Sequence, residues 1–269
     1  MKLALAQLAV EGGAVADNVD RAVAAIDRAA EDADLVALPE IFNIGYFAFE
    51  QYHRDAEPLG GETLSTIAAA ARDNSVAVLA GSIVEDLGAT AARTDAPVPD
   101  DEGLANTAVF FDRDGNRQAV YRKHHLFGYG STEQDLLTRG ERTPVVEFEG
   151  FGVGITTCYD LRFPELYREL VADGATLVLV PSAWPYPRVD HWRVLQQARA
   201  IENQCYVATV NGSGSFGDAT LLGRSTVQDP WGTVLAGSGD DPTTVTATVD
   251  PERVRAVREE FPALSDRRL

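Results

Sequence analysis

The spacing of hydrophobic and polar positions changes several times along the chain, and each change marks an element. Leu3, Leu5 and Gln7 alternate with Ala4, Ala6 and Leu8, the two-residue period of a strand. Asp17 or Asn18 is placed to cap a helix whose apolar positions Val19, Val23, Ile26 and Ala30 return at helical spacing. Residues 35–38 are short, apolar and stopped by Pro39–Glu40, which predicts a buried strand. A loop with Gly45, Gly60 and Gly61 leads into a second helix over about residues 62–72, and residues 76–84 are the next strand. Residues 88–103, rich in Ala, Thr, Pro and Asp, read as an exposed excursion. Residues 106–112 and 118–121 read as a hairpin around Asp114–Gly115.

The second half repeats the theme. Strands are predicted at 145–148 and 153–157, around a turn at 150–152, followed by a helix at 163–172 and an apolar strand at 177–180. An amphipathic helix at 190–203 precedes a strand at 206–210. Residues 225–229 and 233–236 flank a turn at Pro230–Trp231–Gly232, and 244–249 is the last strand. The tail, 251–269, is charged and helical up to Phe261. Strands alternating with helices, with hairpins added, predict an α/β fold with mixed sheets. No low-complexity linker divides the chain, so 1–269 reads as one domain.

Composition narrows the function. The 269 residues carry 23 Lys+Arg against 41 Asp+Glu, a net charge of −18. Such a field repels nucleic-acid backbones and anionic membranes, so neither is an expected partner. Only two of the basic residues are lysines, Lys2 and Lys123, which points to a salt-adapted, halophilic surface and makes a mid-chain lysine conspicuous. Two cysteines and four scattered histidines fit no zinc spacing and no disulfide framework, so no metal site is expected. The start of the chain lacks a basic segment followed by a long apolar run, and a cytoplasmic location is expected.

Open α/β sheets place their chemistry at the carboxyl ends of strands. Three candidates lie there: Glu40 after 35–38, Lys123 after 118–121 and Cys158 after 153–157. A thiol at a strand–helix junction sits near helix amides that favour a thiolate, and a carboxylate and a lysine supply its base and its electropositive partner. Taken singly, each has a plainer account: a solvated strand-end acid, a surface lysine, a small buried thiol. Cys205, next to a β-branched strand, keeps that last role.

The local runs are more specific. They read LPEIF (38–42), YRKHHLF (121–127), GITTCYDLRFPEL (154–166), SAWP (182–185), HWRVLQQARAIEN (191–203) and GRSTVQDPWG (223–232). Together and in this order they resemble the nitrilase superfamily of carbon–nitrogen hydrolases, over nearly the whole chain. The resemblance implies a four-layer αββα sandwich, no cofactor, and a homodimer or larger assembly in which the tail 251–269 can take part. It implies a Glu–Lys–Cys triad of Glu40 as general base, Lys123 beside the oxyanion and Cys158 as nucleophile, with the Tyr159 backbone N–H as second oxyanion donor. Glu133, seven residues before Gly140, matches a second glutamate of many members. The reaction implied is hydrolysis of a small amide to an acid and ammonia through a thioester. The run from Cys158 to Leu166 is most similar to omega-amidases, whereas EIFNIGYFAF (40–49) is closer to some nitrilases, so nitrile and carbamoyl substrates stay open.

Three alternatives are carried forward. A papain-like site would pair Cys158 with His53, His124, His125 or His191, although His124 and His125 are better placed to orient the lysine loop. A catalytically silent binding module would keep the fold without turnover. Arg162 either makes an ion pair with Asp160 or Glu165, or grips a substrate carboxylate as its planar guanidinium allows.

The charge balance generates a first prediction. Carboxylate self-repulsion acts over a Debye length of ~10 Å at 0.1 M salt and is screened at molar salt. Thermal unfolding should therefore show a midpoint that rises between low and molar salt; an unmoved midpoint contradicts salt adaptation.

Overall fold

The computed structural model, which describes residues 1–129 and 132–268, converts the alternation at the start of the chain into two packing faces. The strands in chain order are β1 (Lys2–Gln7), β2 (Leu35–Ala37), β3 (Ala77–Asp86), β4 (Leu104–Phe111), β5 (Arg117–Arg122), β6 (Val145–Phe148), β7 (Phe151–Ile155), β8 (Leu177–Ser182), β9 (Tyr206–Asn211), β10 (Ser213–Phe216), β11 (Ala219–Leu222), β12 (Thr226–Gln228), β13 (Val234–Gly237) and β14 (Thr243–Thr248). The helices are α1 (Val15–Ala29), α2 (Tyr52–Asp55), α3 (Glu62–Asp73), α4 (Leu87–Arg93), α5 (Glu133–Leu136), α6 (Pro164–Ala172), α7 (Val189–Asn203) and α8 (Pro251–Glu260). One six-stranded sheet runs β14-β1-β2-β3-β4-β5 and the other β13-β12-β9-β8-β7-β6. Each is parallel at its centre (β1-β2-β3, β7-β8-β9) and antiparallel outside it.

Leu3 and Leu5 join Leu35, Leu79, Phe110, Val153, Leu177, Ala208 and Val227 in a core shared by both sheets. Ala4 and Ala6, on the opposite face of β1, pack with Ala22, Ile26, Leu64 and Ile67 of α1 and α3. On the far face of the second sheet, Val178, Val180 and Val207 meet Leu166, Tyr167, Trp192 and Ala200 of α6 and α7. The result is the αββα sandwich, with four layers and three apolar interfaces. Fully burying one of these aliphatic side chains stabilises the fold by about 1.5–3 kcal/mol. Among the described residues, no helix is long and apolar enough to cross a membrane.

Four departures from the sequence reading have physical causes. The helix expected after Asp17 or Asn18 begins at Val15, and buried Asn18 lies inside it. Its side chain bonds to Glu11 and to the Asn43 carbonyl (2.7 Å), so it ties α1 to the segment after Glu40 rather than capping the helix. The 88–103 excursion opens with α4, capped by the Asp86 side chain, with Leu87 and Thr90 buried. The β10–β11 hairpin escaped notice because glycines and polar residues break its alternation. The short helices α2 and α5 carry too little periodicity to be seen. The tail is helical over α8, and its last residue, Leu269, lies outside the described residues.

Two glycines let backbones approach at the carboxyl ends of the strands. A Cβ on Gly81 of β3 would lie 1.7 Å from the Leu38 carbonyl oxygen. A Cβ on Gly140 would lie 2.0 Å from the Arg122 carbonyl oxygen. Both contacts fall one or two residues before a candidate catalytic group. Gly81→Ala is therefore expected to cost about 1–3 kcal/mol, the usual penalty of overpacking, and to lower the urea midpoint. Gly60→Ala, with open space around it, is the control and should leave the midpoint in place. Equal midpoints for the two variants contradict the close approach.

Candidate active site

The three strand ends converge. Glu40 leaves β2 through a turn held by β3: the Ile41 N–H donates to Ser82 Oγ (2.7 Å) and the Phe42 N–H to the Ser82 carbonyl (3.2 Å). Ile41 has φ +42°, in the left-handed region that a β-branched residue resists. Lys123 follows β5 directly; its N–H donates to the Asn106 carbonyl (2.9 Å) and its carbonyl accepts from the Gly140 N–H (3.0 Å). The close approach behind that bond, with no room for a Cβ beside the Arg122 carbonyl, is the structural reason for a glycine at 140. Cys158 opens a 3-10 turn (Cys158–Arg162) and has φ +47°. Strain at Ile41 and Cys158, each at or beside a chemical group, is the pattern that functional sites retain.

Lys123 is almost completely buried, and so are the carboxylates it meets. Its Nζ lies 2.8 Å from Glu40 Oε1 and 2.8 Å from Glu133 Oε1. The Asn106 amide donates to the same two oxygens, at 2.9 and 3.3 Å. The remaining oxygens are also satisfied. Ala183 N–H donates to Glu40 Oε2 (2.8 Å); Phe127 N–H (2.6 Å) and Tyr46 O–H (3.0 Å) donate to Glu133 Oε2. Burial lowers the Lys123 pKa, but Glu133 and Glu40 together hold it well above the ordinary lysine value. Burial raises the Glu40 carboxyl, Lys123 opposes this and Glu133 adds to it. The lysine is thus a fixed cation, and Glu40 a carboxylate with raised proton affinity.

Cys158 faces this group. The Glu40 carboxylate and the Ala183 N–H are polar neighbours of its thiol. Burial pushes the thiol well above the ordinary cysteine value and the Glu40 charge pushes it further, against Lys123. This corrects the expectation that helix amides poise a thiolate: the 3-10 turn is short, and two buried carboxylates surround one buried cation. At rest Cys158 is a thiol beside the Glu40 carboxylate. Cys205 is buried beneath α7, its thiol pushed up to about 12 by burial, in keeping with a packing role.

Asp160 ties the lysine and cysteine segments together. Its Oδ2 accepts from Tyr121 O–H (2.6 Å) and Thr157 N–H (2.8 Å). Its Oδ1 accepts from the His125 N–H (3.0 Å) and lies 2.8 Å from His125 Nδ1. His125 stacks on Phe163 and His124 on Tyr121. Both histidines therefore orient the lysine loop, and Glu40 rather than a histidine adjoins the thiol.

A small cleft opens over Cys158, walled by Tyr46, Phe127, Tyr159, Trp184, Arg162 and Arg188. The ion pair of Arg162 with Asp160 or Glu165 is not formed among the described residues. Arg162 lies over the Trp184 ring (4.9 Å) and the Tyr159 ring (5.7 Å), with an amine 3.3 Å from His191 Nδ1. Tyr159 places its N–H at the leading end of the turn, where amides lack intrahelical acceptors.

Sequence reasoning missed Asn106, Tyr46, Asp160, Ala183 and Arg188. A polar Asn106–Thr107 pair inside the apolar β4, LANTAVFF, was one signal; Tyr46, Asp160 and Ala183 stand in the quoted runs, but their contacts depend on long-range folding.

Residues 2–259 match the family model for carbon–nitrogen hydrolases. The chain belongs to the carbon–nitrogen hydrolase family. The 2-oxoglutaramate amidase of Paenarthrobacter nicotinovorans is 36% identical over 240 residues, 88% of this chain and 79% of that protein. The omega-amidase of Homo sapiens is 33% identical over 278 residues, 99% and 95% of the two chains. A solved glutamate-to-glutamine mutant of the amidase from Nesterenkonia sp. AN1, with an acetamide moiety on its active-site cysteine, superposes with TM-score 0.83. It is 29% identical and is matched over 100% of this chain and 94% of its own. This carbon–nitrogen hydrolase is accordingly an enzyme of the amidase type with a cysteine nucleophile.

The charge arrangement in this hydrolase predicts its titration. A thiol raised above its ordinary value stays protonated as pH climbs through that value and ionises only beyond it. The difference in 240-nm absorbance between wild type and Cys158→Ala should show no thiolate step between about pH 6 and pH 9, where an unperturbed cysteine begins to ionise. A step centred near neutrality contradicts the resting thiol.

Proposed function

We propose that the enzyme hydrolyses a small amide bearing a free carboxylate, with Cys158 as nucleophile, Glu40 as general base and acid, Lys123 as oxyanion partner and Glu133 as the anchor of Lys123. The observation that carries the reading is the continuous buried set Cys158–Glu40–Lys123–Glu133 at the floor of an open cleft. Glu40 takes the thiol proton as sulfur attacks the amide carbon. Lys123 and the Tyr159 N–H receive the developing oxyanion; one such donor is worth about 3 kcal/mol of barrier. Glu40 then passes its proton to the leaving nitrogen, so ammonia departs and a thioester remains. Water replaces ammonia, Glu40 accepts its proton, and collapse of the second tetrahedral species releases the acid and restores the thiol. One base serves both half-reactions because it touches both the sulfur and the leaving group.

The amide preference is supported by relatives named as amidases. The carboxylate preference rests on Arg162: a guanidinium at the cleft wall, 4.9 Å from the Trp184 ring and not ion-paired among the described residues, has N–H donors to offer a substrate carboxylate. The substrate class is the ω-amide of a short dicarboxylic acid. Assembly is part of the proposal. Val194 and Ile201 of α7, Trp231, Val234 and Leu235, and Phe261 after α8 are exposed, and the Trp231 and Phe261 rings lie 5.9 Å apart. A second copy would cover this face.

Ammonia release from succinamate tests the roles. Cys158→Ala and Glu40→Gln should each lose roughly four orders of magnitude or more in kcat, as for residues that act as a unit. Lys123→Ala should lose at least about a hundredfold and also destabilise the fold by about 3–5 kcal/mol, because it strands two buried carboxylates. Glu133→Ala should slow turnover; near-normal kinetics would remove it from the site. Wild-type rates in Cys158→Ala refute the reading. Arg162→Lys should raise KM for succinamate more than for butyramide, and equal losses return Arg162 to a structural role. Light scattering in molar salt should give a particle larger than one 29.0 kDa chain, and a monomer refutes the assembly.

A further inference from the structure

The cleft holds a second guanidinium. Arg188, on the loop between β8 and α7, lines the same wall as Arg162, and neither has a carboxylate within ion-pair distance among the described residues. Ten of the 21 arginines pair with a carboxylate among the described residues, and these two stand with those that do not. Arg21, Arg113, Arg122, Arg199, Arg224 and Arg253 all find carboxylates. Two neighbouring cations left unpaired in a partly buried cleft oppose each other. Burial chiefly, and the Arg188 charge with it, weaken the hold of Arg162 on its proton.

Both groups lie over aromatic rings, and one Arg162 nitrogen is also 3.3 Å from His191 Nδ1. Arg162 lies over Trp184 and Tyr159, and Arg188 over Phe127 at 5.5 Å. Trp184 serves both, because its Nε1–H also donates to the Arg188 carbonyl (3.0 Å). A ring covers the face of a guanidinium and leaves its in-plane N–H groups free, which is the geometry that meets a carboxylate. A carboxylate has two oxygens and about four lone-pair positions, enough for both arginines.

We infer that Arg162 and Arg188 form a two-guanidinium clamp on the remote carboxylate of the substrate, which makes Arg188 a second specificity residue that favours anionic amides and rejects cationic ones. This deepens the substrate class proposed above and rests on it. Removing one of two mutually repelling cations should not destabilise the free protein, so binding and stability effects separate.

The test uses the full chain as wild type, Arg162→Gln, Arg188→Gln and the double variant, with succinamate, uncharged butyramide and cationic 4-aminobutanamide. Wild type should prefer succinamate, then butyramide, then the cation. Arg188→Gln should lower the succinamate-to-butyramide ratio of kcat/KM by about ten- to hundredfold, the worth of a charge-assisted hydrogen bond, chiefly through KM. It should also narrow the penalty on the cationic amide. Succinate should raise the thermal midpoint of wild type, and less so that of Arg188→Gln. An unchanged ratio in Arg188→Gln beside a lowered one in Arg162→Gln overturns the clamp and leaves the Arg162 reading standing. A fall in thermal midpoint with an unchanged ratio likewise makes Arg188 structural. A wild type that does not prefer succinamate overturns the clamp and the carboxylate preference together, and one that releases ammonia from no amide overturns the proposed function itself.

Discussion

A single buried ammonium between two buried carboxylates is the interaction on which the site depends. Each of these charges alone would be costly to remove from water, and the penalty is met only by near-ideal pairing with every remaining lone pair satisfied. Lys123 therefore fixes Glu40 and Glu133 at 2.8 Å, and Asn106, Ala183, Phe127 and Tyr46 complete the shell. Burial, with the Glu40 charge added to it, keeps Cys158 protonated at rest. Burial also raises the proton affinity of Glu40, against Lys123 and with Glu133, which suits it to the base role proposed for it. Stability and chemistry are thus set by one electrostatic arrangement.

The sandwich serves that arrangement. Glu40 and Lys123 come from the first sheet and Cys158 from the second, so the packing of sheet on sheet sets their distances. Ala183, at the end of β8, donates to Glu40 from the opposite sheet. Gly81 and Gly140 permit the backbone approaches, and Asp160 links the Lys123 and Cys158 segments through three contacts. Positive φ at Ile41 and Cys158 is tolerated because this framework over-determines both turns.

The legible and illegible parts of the sequence divide by range of interaction. Strands such as β1 and β8 and helices such as α3 and α7 carry their periodicity in their own residues, so their positions could be read. Glu40, Lys123, Cys158 and Glu133 stood in local runs that resemble a known family, and the fold brings them together. Asn18 looked like a cap because the rule is local, whereas its partners Glu11 and Asn43 are brought to it by folding. The protonation of Cys158 was misjudged for the same reason: an adjacent turn is visible in sequence, but burial and the net charge of converging strands are not. Arg188, preceded by Pro187 and lying between two of the quoted runs but in neither, acquires meaning only beside Arg162.

The central claim is that Glu40 activates a neutral Cys158 thiol and later protonates the leaving nitrogen. Mass spectrometry of the Cys158 peptide, from enzyme quenched during turnover of succinamate, addresses it most directly. Wild type should carry an acyl group on Cys158 that disappears as substrate is consumed. Glu40→Gln, folded and with its thiol intact, should stay unmodified, because the thiol keeps its proton and ammonia cannot leave. Acylation of Cys158 in Glu40→Gln at the wild-type rate would contradict the account.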